Sequence, residues 1–181
     1  LALIDVANDD QVDIIKLTPS HVRLLEQHDL TKSRARQLIL GGEGLTAEMV
    51  RRIARIFGGD VLIHNEYGPT EATVGCVVHS FRAEEPQGDP VPIGRPIDNM
   101  RAWVLDARGR LVPDGVVGEL YLGGAGLAAG YQGDPVRTAE RFVPSAVDPA
   151  GRVYRTGDLA RRNAAGLLEY CGRNDVQLKI R

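Results

Sequence analysis

The chain has 181 residues, 43% hydrophobic and 25% charged, with a formal net charge of −2. That length holds one domain or two small ones with an ordinary core. The near-neutral balance excludes the basic field of a nucleic-acid binder, and no apolar run reaches membrane-spanning length, so neither nucleic acid nor membrane is an expected partner.

Residues 12–17 read as a short strand. Thr18-Pro19-Ser20 caps a helix running to about Gln27, with Val22, Leu24 and Leu25 apolar. Residues 37–40 form a strand stopped by Gly41-Gly42. Thr46 caps a helix over 47–57, whose Met49, Val50, Ile53, Ala54 and Phe57 recur at helical spacing, and Gly58-Gly59 ends it. Residues 61–63 and 77–81 are the next strands. This strand–helix–strand order predicts parallel pairing inside a buried sheet. Residues 82–92 read as a loop and an internal boundary. Beyond it, strands over 101–105, 118–122 and 167–170 alternate with turns, one at 106–109, as in a small antiparallel barrel or sandwich. A helix over 134–141, with Asp134 as cap and Pro135 in its first turn, interrupts them.

The two cysteines, Cys76 and Cys171, are far apart and lack metal spacing, so both are expected as small apolar fillers of a reduced, cytoplasmic chain. The four histidines show no zinc pattern. Lysines stand only at 16, 32 and 179. Leu1 opens on what reads as ongoing sequence, and an excised piece is expected.

The glycine run GGAGLAAG at 123–130 is one residue too long in its last interval for GxGxxG, and no βαβ unit follows, so it reads as turn glycine. No GxxxxGK[ST] loop is present. GGEG at 41–44 either brings backbone close to a flat ligand or makes a plain strand-to-helix turn. HNEYGPTEATVG at 64–75 crowds a ring, a hydroxyl and two carboxylates into a connection between strands. Two readings fit. Tyr67 can stack on a base, Thr70 can donate to phosphate and Glu71 can hold Mg²⁺, a set for a nucleoside triphosphate. A turn with a half-buried Tyr fits as well. In YRTGDL, Asp158 follows a tight turn and suits two ribose hydroxyls. The run 172–181 alternates like an edge strand.

NEYGPTEATV, VPIGRPI, GELYLGGAGLAAGY, YRTGDLARR and GRNDVQLKIR stand in order over nearly the whole chain. In them it resembles the adenylation domain of nonribosomal peptide synthetases, within the adenylate-forming superfamily that includes acyl-CoA ligases and luciferases. The resemblance implies an α/β fold: the end of an α/β subdomain with a largely parallel sheet over 1–85, a small distorted antiparallel β-barrel over 86–174, and at 175–181 the hinge and start of a C-terminal subdomain. It implies ATP and Mg²⁺, phosphopantetheine on a partner peptidyl carrier domain, and condensation domains in the same assembly line. The activity implied joins an amino acid carboxylate to AMP, releases pyrophosphate, and passes the acyl group to the carrier thiol. A phosphate loop before Leu1 and a catalytic Lys after Arg181 are implied too, so this piece alone should be inactive.

The implied roles map by position. Tyr67 stacks on adenine beside Gly68, Asn65 lies near the adenine amino group, and Gly42, Glu43 and Gly44 line the base. Thr70 contacts phosphate and Glu71 holds the metal. Asp158 grips the ribose, with Tyr170 and Arg173 near the nucleotide, and Asp175 is the hinge. The side-chain pocket aligns with Lys16, Ile39, Gly41, Glu66, Val74 and Gly75. Ile39 and Gly41 share a strand face, as such a wall requires. Lys16 can donate to a carboxamide oxygen and Glu66 can accept from its nitrogen, which favours L-Asn, then 3-hydroxy-Asn. Asp would face Glu66 with like charge, and Gln is disfavoured by only about 1–3 kcal/mol. Lys16 and Glu66 could also simply pair with each other. An acyl-CoA ligase and a non-catalytic β-barrel interaction module are the competing readings.

Overall fold

The computed structural model describes residues 2–9, 11–85, 87–145, 147–148 and 151–174. They fall into two compact units. One takes the described residues up to Tyr67 and then Val78–Ile93; the other takes Gly68–Val77 and those from Gly94 onward.

The first unit contains α1 (Ala2–Ala7), β1 (Ile14–Leu17), α2 (Pro19–Val22), β2 (Gln37–Gly41), α3 (Ala47–Phe57), β3 (Leu62–Tyr67) and, from Val78 on, β4 (Val77–Arg82). The strand order is β1-β2-β3-β4, with β1 parallel to β2 and β2 parallel to β3. The helix expected over 47–57 is present with those bounds. Thr46 Oγ1 accepts from Met49 N at 3.2 Å, and Gly58 follows at φ 96°. Met49, Val50, Ile53, Ile56 and Phe57 are its buried face. Burying a side chain such as Phe57 contributes about 1.5–3 kcal/mol.

Two local expectations change. The helix after Thr18 is α-helical only to Val22 and continues as a 3-10 turn over Arg23–Leu25. The tighter winding eclipses residues three apart. It buries Val22 and Leu25 fully and leaves Leu24 53% exposed. The sheet was expected buried on both faces. Ile15, Leu17, Leu38, Leu40 and Ile63 are buried, while the alternate residues Lys16, Gln37, Ile39, His64 and Glu66 are partly or well exposed. These strands alternate where a doubly covered strand would run continuously apolar.

The second unit contains β5 (Arg95–Pro96), β6 (Met100–Leu105), β7 (Gly118–Gly124), α4 (Pro135–Arg141), β8 (Phe142–Pro144), β9 (Arg152–Arg162) and β10 (Leu168–Arg173). Its antiparallel sheet runs β10-β9-β7-β6, with β8 also on β9. Register shifts at Glu119/Tyr121 and Tyr170/Gly172 curl it into a distorted open barrel, as bulges do. Asp134 Oδ1 caps α4 through Arg137 N at 2.9 Å. The turn expected before Asp158 is absent. YRTGDLARR lies wholly inside β9, because β7 and β10 flank it and its polar groups are satisfied internally. Thr156 Oγ1, for instance, donates to Leu120 O at 2.7 Å. Cys76 is buried as expected; Cys171, beside the β10 bulge, is exposed and fills no core. Asp175, the expected hinge, lies outside the described residues, as does the run after it.

The turn at 106–109 carries a testable consequence. Asp106 accepts from the backbone N–H groups of Arg110 and Arg108 and from both Nε and Nη2 of Arg110. The Arg110 backbone bond, then its side chain, push the carboxyl down to about 2. The unfolded value is about 3.9. Asp106 therefore adds stability above pH ~4 that is lost as pH falls through about 2. Carboxyl NMR titration should give Asp106 a midpoint near 2; a midpoint near 4 contradicts this turn.

Candidate functional site

The first unit holds a half-open sheet face. Register sets Lys16 opposite Ile39, and Gly41 opposite Glu66 two rows on, so these four share one side. Lys16 Nζ lies 2.6 Å from Glu66 Oε2, with the Lys side chain 54% exposed and the Glu side chain 16%. A Cβ at position 41 would stand 3.1 Å from Glu66 O and 3.2 Å from its Oε2. Gly41 is thus what lets the Glu66 carboxylate lie against β2. The donor and acceptor expected to read a substrate side chain meet each other here.

Asn65 faces the other way. It is buried, and its Nδ2 donates to Pro92 O at 2.8 Å and Val91 O at 3.4 Å. Strand alternation puts it on the core side, so its amide braces residues 91–92. Glu43 Oε2 accepts from Ser20 N and Oγ at 3.1 and 2.5 Å, pinning the 41–44 loop to the start of α2. Gly42 takes φ 81°, and nothing lies within 4 Å of a Cβ built on Gly44. Tyr67 closes β3 and is partly exposed.

The second unit holds the rest of the motif, from Gly68. A 3-10 turn over Thr70–Ala72 follows Pro69. Thr73 and Val74 then both take left-handed φ values, 58° and 62°. Two β-branched residues in that region are strained, by roughly 1–3 kcal/mol each, and persist only where their surroundings impose it. The impositions are visible. Val74 N bonds Pro69 O at 3.1 Å, and Thr73 Oγ1 donates to Gly126 O at 2.6 Å. Gly68 lies so close beneath that a Cβ there would stand 1.6 Å from Val74 O. Thr70 is exposed at the head of the turn, Val74 is 54% exposed, and Gly75 follows.

Glu71 is held firmly. Tyr131 Oη donates to its Oε1 at 2.5 Å, and Ala128 N donates to its backbone O at 2.9 Å. Burial pushes the carboxyl up, but hydrogen bonds from Tyr131, its own backbone and Tyr154, with Arg137 nearby, hold it below the usual carboxylate range. Burial and the Glu71 bond push the Tyr131 phenol up; burial and Tyr131 push Tyr154 up further. Among the described residues no three of His, Cys, Asp and Glu gather to hold a metal on their own. One ionised, partly exposed carboxylate fits Mg²⁺, which binds through one or two carboxylates plus substrate phosphates.

Asp158 is 7% exposed, on β9. Arg173 Nη1 donates to its Oδ1 at 2.8 Å, and Arg173 Nη2 reaches Thr156 O at 3.3 Å. Asp158 N donates to Thr156 Oγ1 at 2.9 Å. Tyr170 pairs with Ala160 across β10 and β9, one residue before the bulge. Two shallow hollows of about 460 and 430 Å³ open in this unit, lined around Gly157 and around Tyr131; neither is lined by Glu71 or Asp158. The sequence thus marked Glu71 and Asp158 but missed their partners. Tyr131 and Tyr154 stand inside quoted motifs, yet nothing local ties them to a carboxylate 60 or more residues away.

The family described as AMP-binding enzyme matches residues 2–132. Bacitracin synthase 3 of Bacillus licheniformis is 44% identical over 176 residues, 97% of this chain and 3% of that protein. Tyrocidine synthase 3 of Brevibacillus parabrevis is 44% identical over 179 residues, 99% of this chain and 3% of that protein. The chain therefore spans about 3% of the length of these curated relatives. The solved structure of PA1221, an NRPS protein containing adenylation and PCP domains, superposes with a TM-score of 0.82 at 36% identity, over 92% of this chain and 34% of that one. IdnL1 gives 0.84 at 32% identity, over 94% and 36%.

Proposed function

Since the chain belongs to the AMP-binding enzyme family, within it to the adenylation domains of nonribosomal peptide synthetases, we propose that it forms part of a unit that activates L-asparagine with ATP. The amino acid carboxylate oxygen bonds to the α-phosphorus, the bond to the bridging oxygen breaks, and pyrophosphate leaves. The aminoacyl group then passes to a phosphopantetheine thiol on a carrier domain, with condensation domains as further partners in a cytoplasmic assembly line. The reaction brings anions together, and a bound Mg²⁺ offsets that repulsion as a Lewis acid. On this reading Glu71 holds the metal, Thr70 donates to phosphate, Tyr67 stacks on adenine, and the 42–44 loop lines the base. Asp158, steadied by Arg173, takes the ribose hydroxyls, and Tyr170 lies near the nucleotide. Asp175 serves as hinge to a C-terminal subdomain.

The observation that carries the asparagine reading is the Lys16–Glu66 pair backed by Gly41. A carboxamide has one acceptor end and one donor end, and this pair offers the complement of each. Ile39 shares that sheet face with Gly41, and the resemblance adds Val74 and Gly75 to the reading set. Because Lys16 is more than half exposed, the pair stabilises the free protein by only about 0–1 kcal/mol. Opening it to admit a substrate end group is correspondingly cheap.

Amino-acid-dependent pyrophosphate exchange by the intact protein tests this. Asparagine should give the highest rate, and strong preference for an apolar amino acid would overturn the pocket reading. Glu66→His should shift preference from Asn toward Asp by roughly tenfold, because the like-charge contact is gone and a neutral or cationic ring takes its place. An unchanged profile would remove Glu66 as the reading residue.

A further inference from the structure

Glu71 sits in a short turn that cannot orient a side chain by itself. What fixes its carboxylate comes from a distant stretch. Tyr131 Oη donates to Glu71 Oε1 at 2.5 Å, a short charge-assisted bond. Tyr131 is itself fixed from three sides. Its backbone N donates to Thr138 Oγ1 at 2.9 Å, tying it to α4. Its ring meets Phe142 edge-on at 5.7 Å between centroids. The Arg137 guanidinium lies over the ring, its central carbon 4.4 Å from the ring centre. Tyr154, 5.0 Å from Phe142, completes the aromatic group behind the carboxylate.

We propose that Tyr131 is a positioning residue for the metal ligand: its hydroxyl, held by α4 and Phe142, sets the rotamer in which Glu71 meets a divalent cation bound to a nucleoside triphosphate. The inference rests on the reading of Glu71 as metal ligand. A carboxylate on a free rotor would have to be ordered at each binding event. One already hydrogen-bonded on Oε1 is ordered beforehand, and the cost of ordering falls on folding instead. Tyr131 touches neither nucleotide nor metal in this account and acts only through Glu71.

The test uses Tyr131→Phe in the intact protein, which keeps the ring packing and removes one oxygen, with Tyr154→Phe as a second variant. ATP affinity is measured by calorimetry with and without Mg²⁺, and Mn²⁺ binding in the presence of ATP by electron paramagnetic resonance. In Tyr131→Phe the gain in ATP affinity on adding metal should shrink about five- to tenfold, while metal-free ATP affinity and the KM for amino acid stay within about twofold. Adding Tyr131→Phe to Glu71→Gln should cause no further loss, since the two act as one unit. If Glu71→Gln leaves the metal gain intact, the metal-ligand reading of Glu71 fails. If Glu71→Gln abolishes the gain but Tyr131→Phe, folded by circular dichroism, retains it in full, the positioning role fails while the ligand reading stands. Should Tyr131→Phe not fold, Tyr154→Phe carries the test: a reduced metal gain supports positioning through the aromatic group, and an undiminished one overturns it.

Discussion

Gly68→Ala should abolish pyrophosphate exchange in the intact protein and cost more stability than any other single methyl group added to the 68–75 turn. The reason is geometric. A Cβ at 68 would stand 1.6 Å from Val74 O, 2.6 Å from Val74 C and 2.9 Å from Cys76 N, all backbone atoms. No rotamer change relieves a collision with main chain. The turn would have to open, releasing the Val74 N to Pro69 O bond and the two left-handed residues it holds. A loss above about 4 kcal/mol is expected, in the range reserved for overpacking and broken backbone geometry. In the roles proposed for Thr70 and Glu71, misplacing them by about 1 Å is alone worth a factor of roughly 10² in rate. Thermal melting and exchange assays check both parts. A variant that melts within about 2 °C of the parent and exchanges normally would show that the turn does not close as described.

Asp158→Asn should lower ATP affinity by about two orders of magnitude while leaving the protein folded. In the proposed ribose contact, two charge-assisted hydrogen bonds would become neutral ones, each weaker by roughly half. Stability should fall by less, about 1–2 kcal/mol. The lost Asp158–Arg173 pair is mostly buried, but Arg173 keeps some solvent access and its bond to Thr156 O. The nucleotide itself separates a ribose contact from general damage. The parent should bind ATP far better than 2′-deoxy-ATP or 3′-deoxy-ATP, and the variant should lose most of that discrimination. A variant that binds all three weakly but keeps the parent's ratios would place Asp158 away from the sugar.

What the sequence made legible was what neighbours in the chain decide. Thr46, the apolar spacing through Phe57, and Gly58 are a helix start, face and stop within a dozen residues, and α3 has those bounds. The Asp134-Pro135 start of α4 and the 106–109 turn were local in the same way. The alternation of β2 and β3 was enough to put Ile39 and Gly41 on one face. What escaped was decided at a distance. β9 is a strand because β7 and β10 flank it, although Gly157 and Asp158 inside it read as a turn. The helix after Thr18 tightened so that Val22 and Leu25 could both reach the core. Leu62–Tyr67 ran through the first four residues of the motif because β2 offered a register for it. Within the site, motif residues were marked one by one; the Lys16–Glu66 pairing stood only as an alternative, and Arg173 on Asp158 and Tyr131 on Glu71 were not marked as partners. Those contacts join positions 15 to 60 residues apart, and a single sequence carries no signal for them.

The chain leaves the first unit at Tyr67, gives ten residues to the second, and returns at Val78. Any exchange of specificity between related synthetases must respect that excursion. The six positions proposed to read the side chain are split by it, Lys16, Ile39, Gly41 and Glu66 before the departure and Val74 and Gly75 within it. A donor segment ending at Tyr67 would transplant two-thirds of the recognition set and leave a foreign Val74–Gly75 behind. One ending after Ile93 carries the whole set together with both junctions, so the 93–94 link is the natural splice point for recombining such enzymes.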